Sequence, residues 1–155
     1  AGISSLPGEG LFSCGAGYAG TIDAYGCLQP CFLLKSPQTA YDLKKGALDD
    51  GLRGFFDLRS MRASNPLYIN QCGKCFIKNL CNQCPATAWF EHGQFDKPVG
   101  YFCDLAHAEA RNLGLIREGE KSWDVKDWKE RIRNFANSDA NSKQPIAGES
   151  QCARR

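Results

Sequence analysis

Cys72-Gly73-Lys74-Cys75-Phe76-Ile77-Lys78-Asn79-Leu80-Cys81-Asn82-Gln83-Cys84-Pro85 is the stretch that decides how this chain folds. Four thiols fall in two Cys-x2-Cys pairs with five residues between the pairs. A loop this short can present several soft donors to one place. Without a secretory context, such pairs read as metal ligands or redox thiols before they read as structural bridges. Outward from this loop stand Cys14, Cys27, Cys31, Cys103 and Cys152, nine cysteines in 155 residues. An odd count argues against a fully paired disulfide framework. With only two histidines, His92 and His107, any metal site must be dominated by thiolates. Thiolate ligation selects zinc or iron–sulfur clusters and disfavours magnesium and calcium.

The rest of the composition is that of a water-soluble globular chain, 43% hydrophobic and 23% charged. Nineteen Lys and Arg against seventeen Asp and Glu leave a net charge of +2. That is too near neutral for a nucleic-acid module that works by neutralising phosphates. No apolar run reaches the ~18–20 residues that span a bilayer. The N-terminal residues lack the charged and apolar regions of a secretory signal, and a cytoplasmic location is expected. The sequence starts at Ala1, as a processed product or a piece of a longer chain would.

Along the chain, residues 1–13 are small, contain Gly and Pro, and read as a linker or the end of a preceding unit. Ala19–Asp23 and Cys27–Gln29 are expected to form a small hairpin around Ala24-Tyr25-Gly26. The glycines there suit tight turns, and equally a cluster whose sulfurs accept backbone N–H groups. Leu48, Leu52, Phe55, Phe56 and Leu58 have helical spacing, although Gly51 and Gly54 disfavour a helix. Ala63-Ser64-Asn65-Pro66 ends that segment. A helix is expected from Pro85 to His92, stopped at Gly93, and another over Cys103–Leu113, stopped at Gly114. Residues 117–136 read as an amphipathic helix with the stripe Val125, Trp128, Ile132 and Phe135, and with Asp127 and Arg131 as an i, i+4 pair. Residues 137–155 are polar and expected to be disordered. The sum is an α+β domain stabilised by metal, with cysteine-rich loops and short helices.

The ligand count goes beyond one site per pair. A four-iron cluster often draws one ligand from distant sequence. In two-cluster ferredoxins the last Cys of a local run, followed by Pro, serves the other cluster. Cys84-Pro85 fits that role and Cys103 is available nearby. The order Cys14-x11-Gly26-x4-Cys31, Cys72-x2-Cys75-x5-Cys81-x2-Cys84 and Cys103 resembles the SPASM domain, the auxiliary-cluster domain of many radical S-adenosylmethionine enzymes. The resemblance covers about residues 14–116 and extends to Ile22-Asp23-Ala24-Tyr25-Gly26, Pro30-Cys31, Cys84-Pro85-Ala86 and Tyr101-Phe102-Cys103.

That resemblance implies two 4Fe-4S clusters. The outer one would be held by Cys72, Cys75, Cys81 and Cys103. The inner one would be held by Cys14, Cys31 and Cys84, with an open iron or Cys27 as fourth ligand. The sequence departs from the commonest family pattern in the Cys81–Cys84 spacing, two residues instead of three, and in the extra thiol at Cys27. It also implies a radical S-adenosylmethionine catalytic domain as partner, upstream in the same chain or separate, and a peptide or protein substrate. The catalytic CxxxCxxC is missing: Cys27 and Cys31 have the first spacing, but Leu34 stands where the third thiol is required. The chain is therefore expected to be inactive alone, with S-adenosylmethionine bound only by that other domain.

Three other readings compete. A structural zinc site on Cys72, Cys75, Cys81 and Cys84 leaves Cys14, Cys31 and Cys103 unexplained. A free ferredoxin-like electron carrier differs mainly in its partner, and a secreted disulfide protein fits worst. His92 reads as a helix-end surface residue and Cys152 as a bystander thiol. His107 is placed to donate to a cluster sulfur, and Lys74 and Lys78 to tune a potential by charge. Trp89, Phe90, Tyr101 and Phe102 read as core. No Ser/His/Asp or Cys/His catalytic arrangement stands out.

Overall fold

The computed structural model describes residues 8–12 and 14–142; Cys152 and the tail beyond 142 lie outside them. Strands β1 (Thr21–Ile22) and β2 (Cys27–Gln29) form the expected hairpin, with Thr21 opposite Gln29 and Ile22 opposite Leu28. Asp23 holds its turn. One carboxylate oxygen accepts from the Tyr25 and Cys27 N–H groups at 2.9 and 3.0 Å, and the other accepts from Gln29 Nε2 at 3.1 Å. The Cys27 N–H leads in holding this carboxyl below its usual range. Strand β3 (Tyr41–Asp42) pairs antiparallel with the other side of β2, giving the order β1-β2-β3. At two residues it is too short to leave an alternating pattern in the sequence.

Helix α1 (Leu48–Ser60) packs on this sheet. Gly51 is what lets it come close: a Cβ there would lie 2.7 Å from both Leu28 Cδ2 and Tyr41 Cδ1. A residue unfavourable in a helix is thus the contact point between helix and sheet. Leu28, Phe55 and Leu58 from these elements, and Leu34 from the connection between β2 and β3, join Phe12, Tyr68 and Phe95 in one apolar core. Burying each such side chain contributes ~1.5–3 kcal/mol.

Asn65-Pro66, expected only to end α1, also starts helix α2 (Pro66–Asn70). Asn65 Oδ1 accepts from the Leu67 N–H at 2.9 Å, and Pro66 occupies the first turn, where its missing N–H costs nothing. Asp96 fastens this corner by accepting from the Ser64 and Asn65 N–H groups, both at 2.8 Å, and from the Ser64 hydroxyl at 3.2 Å. Partial burial pushes the Asp96 carboxyl up, but these bonds outweigh it and hold it below its usual value.

A 3-10 turn (Lys78–Leu80) then leads to helix α3 (Pro85–His92), which stops at Gly93 as expected, with His92 exposed. Helix α4 (Gly100–Asn112) starts three residues before Cys103, so that Cys103 sits in its first turns. Trp89 packs on Phe95 with ring centroids 5.0 Å apart. Two of the four aromatics read as core are not: Phe90 is 86% exposed and Tyr101 69%. Successive helical residues lie about 100° apart, so where Trp89 faces inward Phe90 cannot.

The segment after α4 differs most from expectation. Residues 117–127 are a series of turns, interrupted by Gly119 at φ +76°. Helix α5 begins only at Trp128 and continues to Ser142, past the point where disorder was expected. The chain divides into two compact units, residues 1–125 and 126–155. In the second, the expected pair is present, with Arg131 Nε 3.0 Å from Asp127 Oδ2. Of the expected apolar stripe, Trp128 is half-buried and Ile132 and Phe135 are exposed. Altogether the described residues make a small mixed fold, a three-stranded antiparallel sheet with five α-helices, consistent with the α+β class. Among them, no helix is long and apolar enough to cross a membrane.

Candidate metal centre

Three elements deliver four thiols to one cavity. Cys72 and Cys75 lie in the turn after α2, Cys81 closes the 3-10 turn, and Cys103 comes from α4. All four line a cavity of about 30 Å³ together with Ile77, Lys78, Gln83, His107 and Trp123. The first turn is tight. The Gly73 N–H donates to the Tyr68 carbonyl at 2.7 Å, and a Cβ on Gly73 would lie 2.8 Å from the Ile69 carbonyl oxygen. Cys81 Sγ lies 3.7 Å from the Phe102 carbonyl, which joins the loop to α4 beside Cys103.

Burial and mutual repulsion act on all four thiols. Burial pushes the Cys72 thiol up to about 12, and the neighbouring Cys75, Cys81 and Cys103 add to it. Burial likewise pushes Cys103 up to about 11, reinforced by Cys75 and Cys81. Cys75 and Cys81 are raised for the same leading reason, opposed by hydrogen bonds from Ser122 and from the backbone and by the Lys78 charge. Thiolates crowded together out of water repel one another. A bound cation or cationic cluster core is what would let them lose their protons together.

Two buried polar residues from the sequence beyond Cys103 meet these thiols, His107 from the cavity lining and Ser122 through Cys75. The Ser122 hydroxyl is 3.0 Å from Cys75 Sγ, and the Ser122 N–H donates to His107 Nε2 at 3.2 Å. His107 Nδ1 is 2.8 Å from the Cys103 carbonyl and 3.6 Å from Cys103 Sγ. Since Nε2 accepts, the proton belongs on Nδ1, which is the donor toward Cys103. The Trp123 ring meets the His107 ring edge-on, with centroids 5.4 Å apart. The turns that replace a helix over 117–127 are what place Ser122 and Trp123 here.

Gln83 lines the same cavity, and its Nε2 is buried without a hydrogen-bond partner. Leaving such a donor unsatisfied costs ~1–3 kcal/mol. Of the two lysines read as tuning charges, Lys78 lines the cavity and bonds the Tyr68 hydroxyl at 3.0 Å, whereas Lys74 turns to Asn70 Oδ1 at 3.2 Å.

The remaining cysteines lie outside this lining. Cys31 and Cys84 both pack against the apolar core, Cys84 as the N-cap of α3. Cys27 opens β2 with its N–H on Asp23, and Cys14 is exposed. All eight described cysteines are free thiols. Among the described residues, no three His, Cys, Asp or Glu side chains form a set that would hold a single metal ion as they stand. The four cavity thiols thus surround a shared space without closing on a point.

The donor set fits a thiophilic group: four thiols, no carboxylate in the lining, and an unsatisfied amide donor beside them. With about 30 Å³ enclosed, room for roughly two water positions, a four-iron core would require these side chains to draw back. Ser122, Trp123, Gln83 and Pro98 were not found from the sequence. Ser122 is 47 residues from Cys75, and no spacing rule links them. Compared with family models, curated proteins and solved structures, the chain matches none.

Proposed function

We propose that this chain is an auxiliary iron–sulfur domain of the SPASM type, with Cys72, Cys75, Cys81 and Cys103 as ligands of a 4Fe-4S cluster. The observation that carries the reading is the lining of one cavity by these four thiols, Cys103 included and Cys84 excluded. A four-thiolate zinc site built from the two pairs would need Cys84 in place of Cys103. A second cluster is assigned to Cys14, Cys31 and Cys84, with Cys27 or an open iron completing it.

When bound, such a cluster takes up and releases single electrons. The chain's own residues then act around it. Cys72, Cys75, Cys81 and Cys103 hold it, Ser122 and His107 orient the Cys75 and Cys103 sulfurs, and Lys78 offsets negative charge. Ile77, Ala106 and Trp123 keep water away from that lining. The role is support of a radical S-adenosylmethionine catalytic domain acting on a peptide or protein, by passing electrons or holding substrate. Without CxxxCxxC the chain does not start the radical itself. Because the ligands are brought together only by folding, metal uptake and ordering of residues 72–103 are coupled.

Anaerobic reconstitution followed by iron, sulfide and zinc analysis tests this. About eight iron and eight sulfide per chain are expected for two four-iron clusters. One zinc without sulfide ends the reading.

A further inference from the structure

Gln83 sits between Cys81 and Cys84 and reaches in two directions. Its Oε1 accepts the Val99 N–H at 3.0 Å, and Val99 is the N-cap of α4, the helix that carries Cys103 and His107. That bond fixes the amide's orientation, because only the oxygen can accept an N–H. The Nε2 end is therefore also fixed. It is buried, lacks a partner, and belongs to a residue that lines the four-thiol cavity. Three other polar neighbours are already engaged: Ser122 with Cys75, His107 with Cys103 and with the Ser122 N–H, and Lys78 with Tyr68.

We propose that Gln83 is a positioning residue of this centre, whose side-chain amide donates a hydrogen bond to a sulfur of the cluster held by Cys72, Cys75, Cys81 and Cys103. The inference rests on the iron–sulfur reading above. Sulfur is the acceptor this cavity offers in abundance, and the amide is a buried donor without an acceptor. An added electron increases negative charge on the sulfurs, so the bond strengthens in the reduced state. The donor thereby raises the reduction potential. Through Val99, the same side chain links the Cys81–Cys84 loop to the start of α4, so loop and helix present their ligands in one register.

The test reconstitutes the full chain and its Gln83→Met and Val99→Pro variants anaerobically, and measures iron, sulfide and reduction potential. The potential followed is that of the cluster whose signal Cys103→Ala abolishes. Gln83→Met is expected to keep its iron and to shift to a more negative potential. Val99→Pro removes the N–H that Oε1 accepts and so releases the amide, and is expected to shift the potential in the same direction by no more than Gln83→Met does. An unchanged or more positive potential in Gln83→Met, or an unchanged potential in Val99→Pro beside a shifted Gln83→Met, overturns the proposal. Should Gln83→Met fail to take up iron, pulsed EPR of the reduced cluster with ¹⁵N in the glutamine side chains decides. A ¹⁵N coupling lost in Gln83→Glu is expected, and its absence from the wild type overturns the proposal. A wild-type chain without iron removes the parent reading and this one with it. Iron present with an unmoved potential removes this one alone.

Discussion

The Ser122 hydroxyl lies 3.0 Å from the Cys75 sulfur, although 47 residues separate the two in sequence. Ser122 also gives its N–H to His107, whose other ring nitrogen faces Cys103. One serine and one histidine thus connect two of the four cavity thiols through a buried path. Outer partners of this kind fix the direction in which a ligand points, and their loss typically weakens metal binding 10–100-fold. Ser122→Ala is therefore expected to lower cluster affinity by about tenfold or more, read by competition with an iron chelator. Equal retention in variant and wild type would contradict this.

The same path fixes the His107 tautomer. Long-range proton–nitrogen NMR of the metal-free chain should find the proton on Nδ1 and a bare Nε2. A proton on Nε2 would be incompatible with the Ser122 N–H pointing at that atom.

Gly51 gives a prediction whose sign separates local propensity from packing. Helix propensity alone makes Gly51→Ala stabilising by ~1 kcal/mol. The 2.7 Å approaches to Leu28 and Tyr41 make it destabilising instead, by ~1–3 kcal/mol, because buried Leu28 and the Tyr41 ring must both give way. Denaturant unfolding measures the difference, and a higher midpoint would mean that α1 does not rest on the sheet at this point.

The raised thiols make the metal-free chain sensitive to alkali. Their ordinary value is 9.0, whereas Cys72 is held up to about 12 and Cys103 up to about 11. A group whose pKa is raised in the fold leaves stability intact below its unfolded value. The stability is lost as pH rises, because the unfolded chain ionises first. Stability should therefore fall between about pH 9 and pH 12 and be flat with respect to these thiols at neutral pH. A Cys72→Ser variant should lose much of that slope. An equal slope in the two would place its origin elsewhere.

Where the sequence carried a repeating or punctuated signal, the fold was legible. Gly26 marked the hairpin turn, Pro85 and Gly93 bracketed α3, and the Asp127–Arg131 pair formed as read although the helix around it starts only at Trp128. Gly51 was misleading, since a residue unfavourable by propensity was there for close approach. The grouping of Cys103 with the loop thiols came from resemblance, and Cys103 lines the cavity with them. Of the outer partners, His107 was legible from its place one turn after Cys103, whereas Ser122 and Trp123 were not. Ser122 and Trp123 lie within a charged run that reads as a helix, whereas the chain there runs in turns, with Gly114 and Gly119 at positive φ, that place them beside the thiols. Gln83 carried no signal in the sequence, and its amide orientation follows from the Val99 N–H that it accepts.

The most direct measurement is the iron and sulfide content of reconstituted Cys103→Ala beside the wild type. If Cys72, Cys75, Cys81 and Cys103 hold one 4Fe-4S cluster, the variant loses about four iron and four sulfide while a second cluster elsewhere persists. Full iron and sulfide in Cys103→Ala, or a single zinc retained by both proteins, would contradict the assignment.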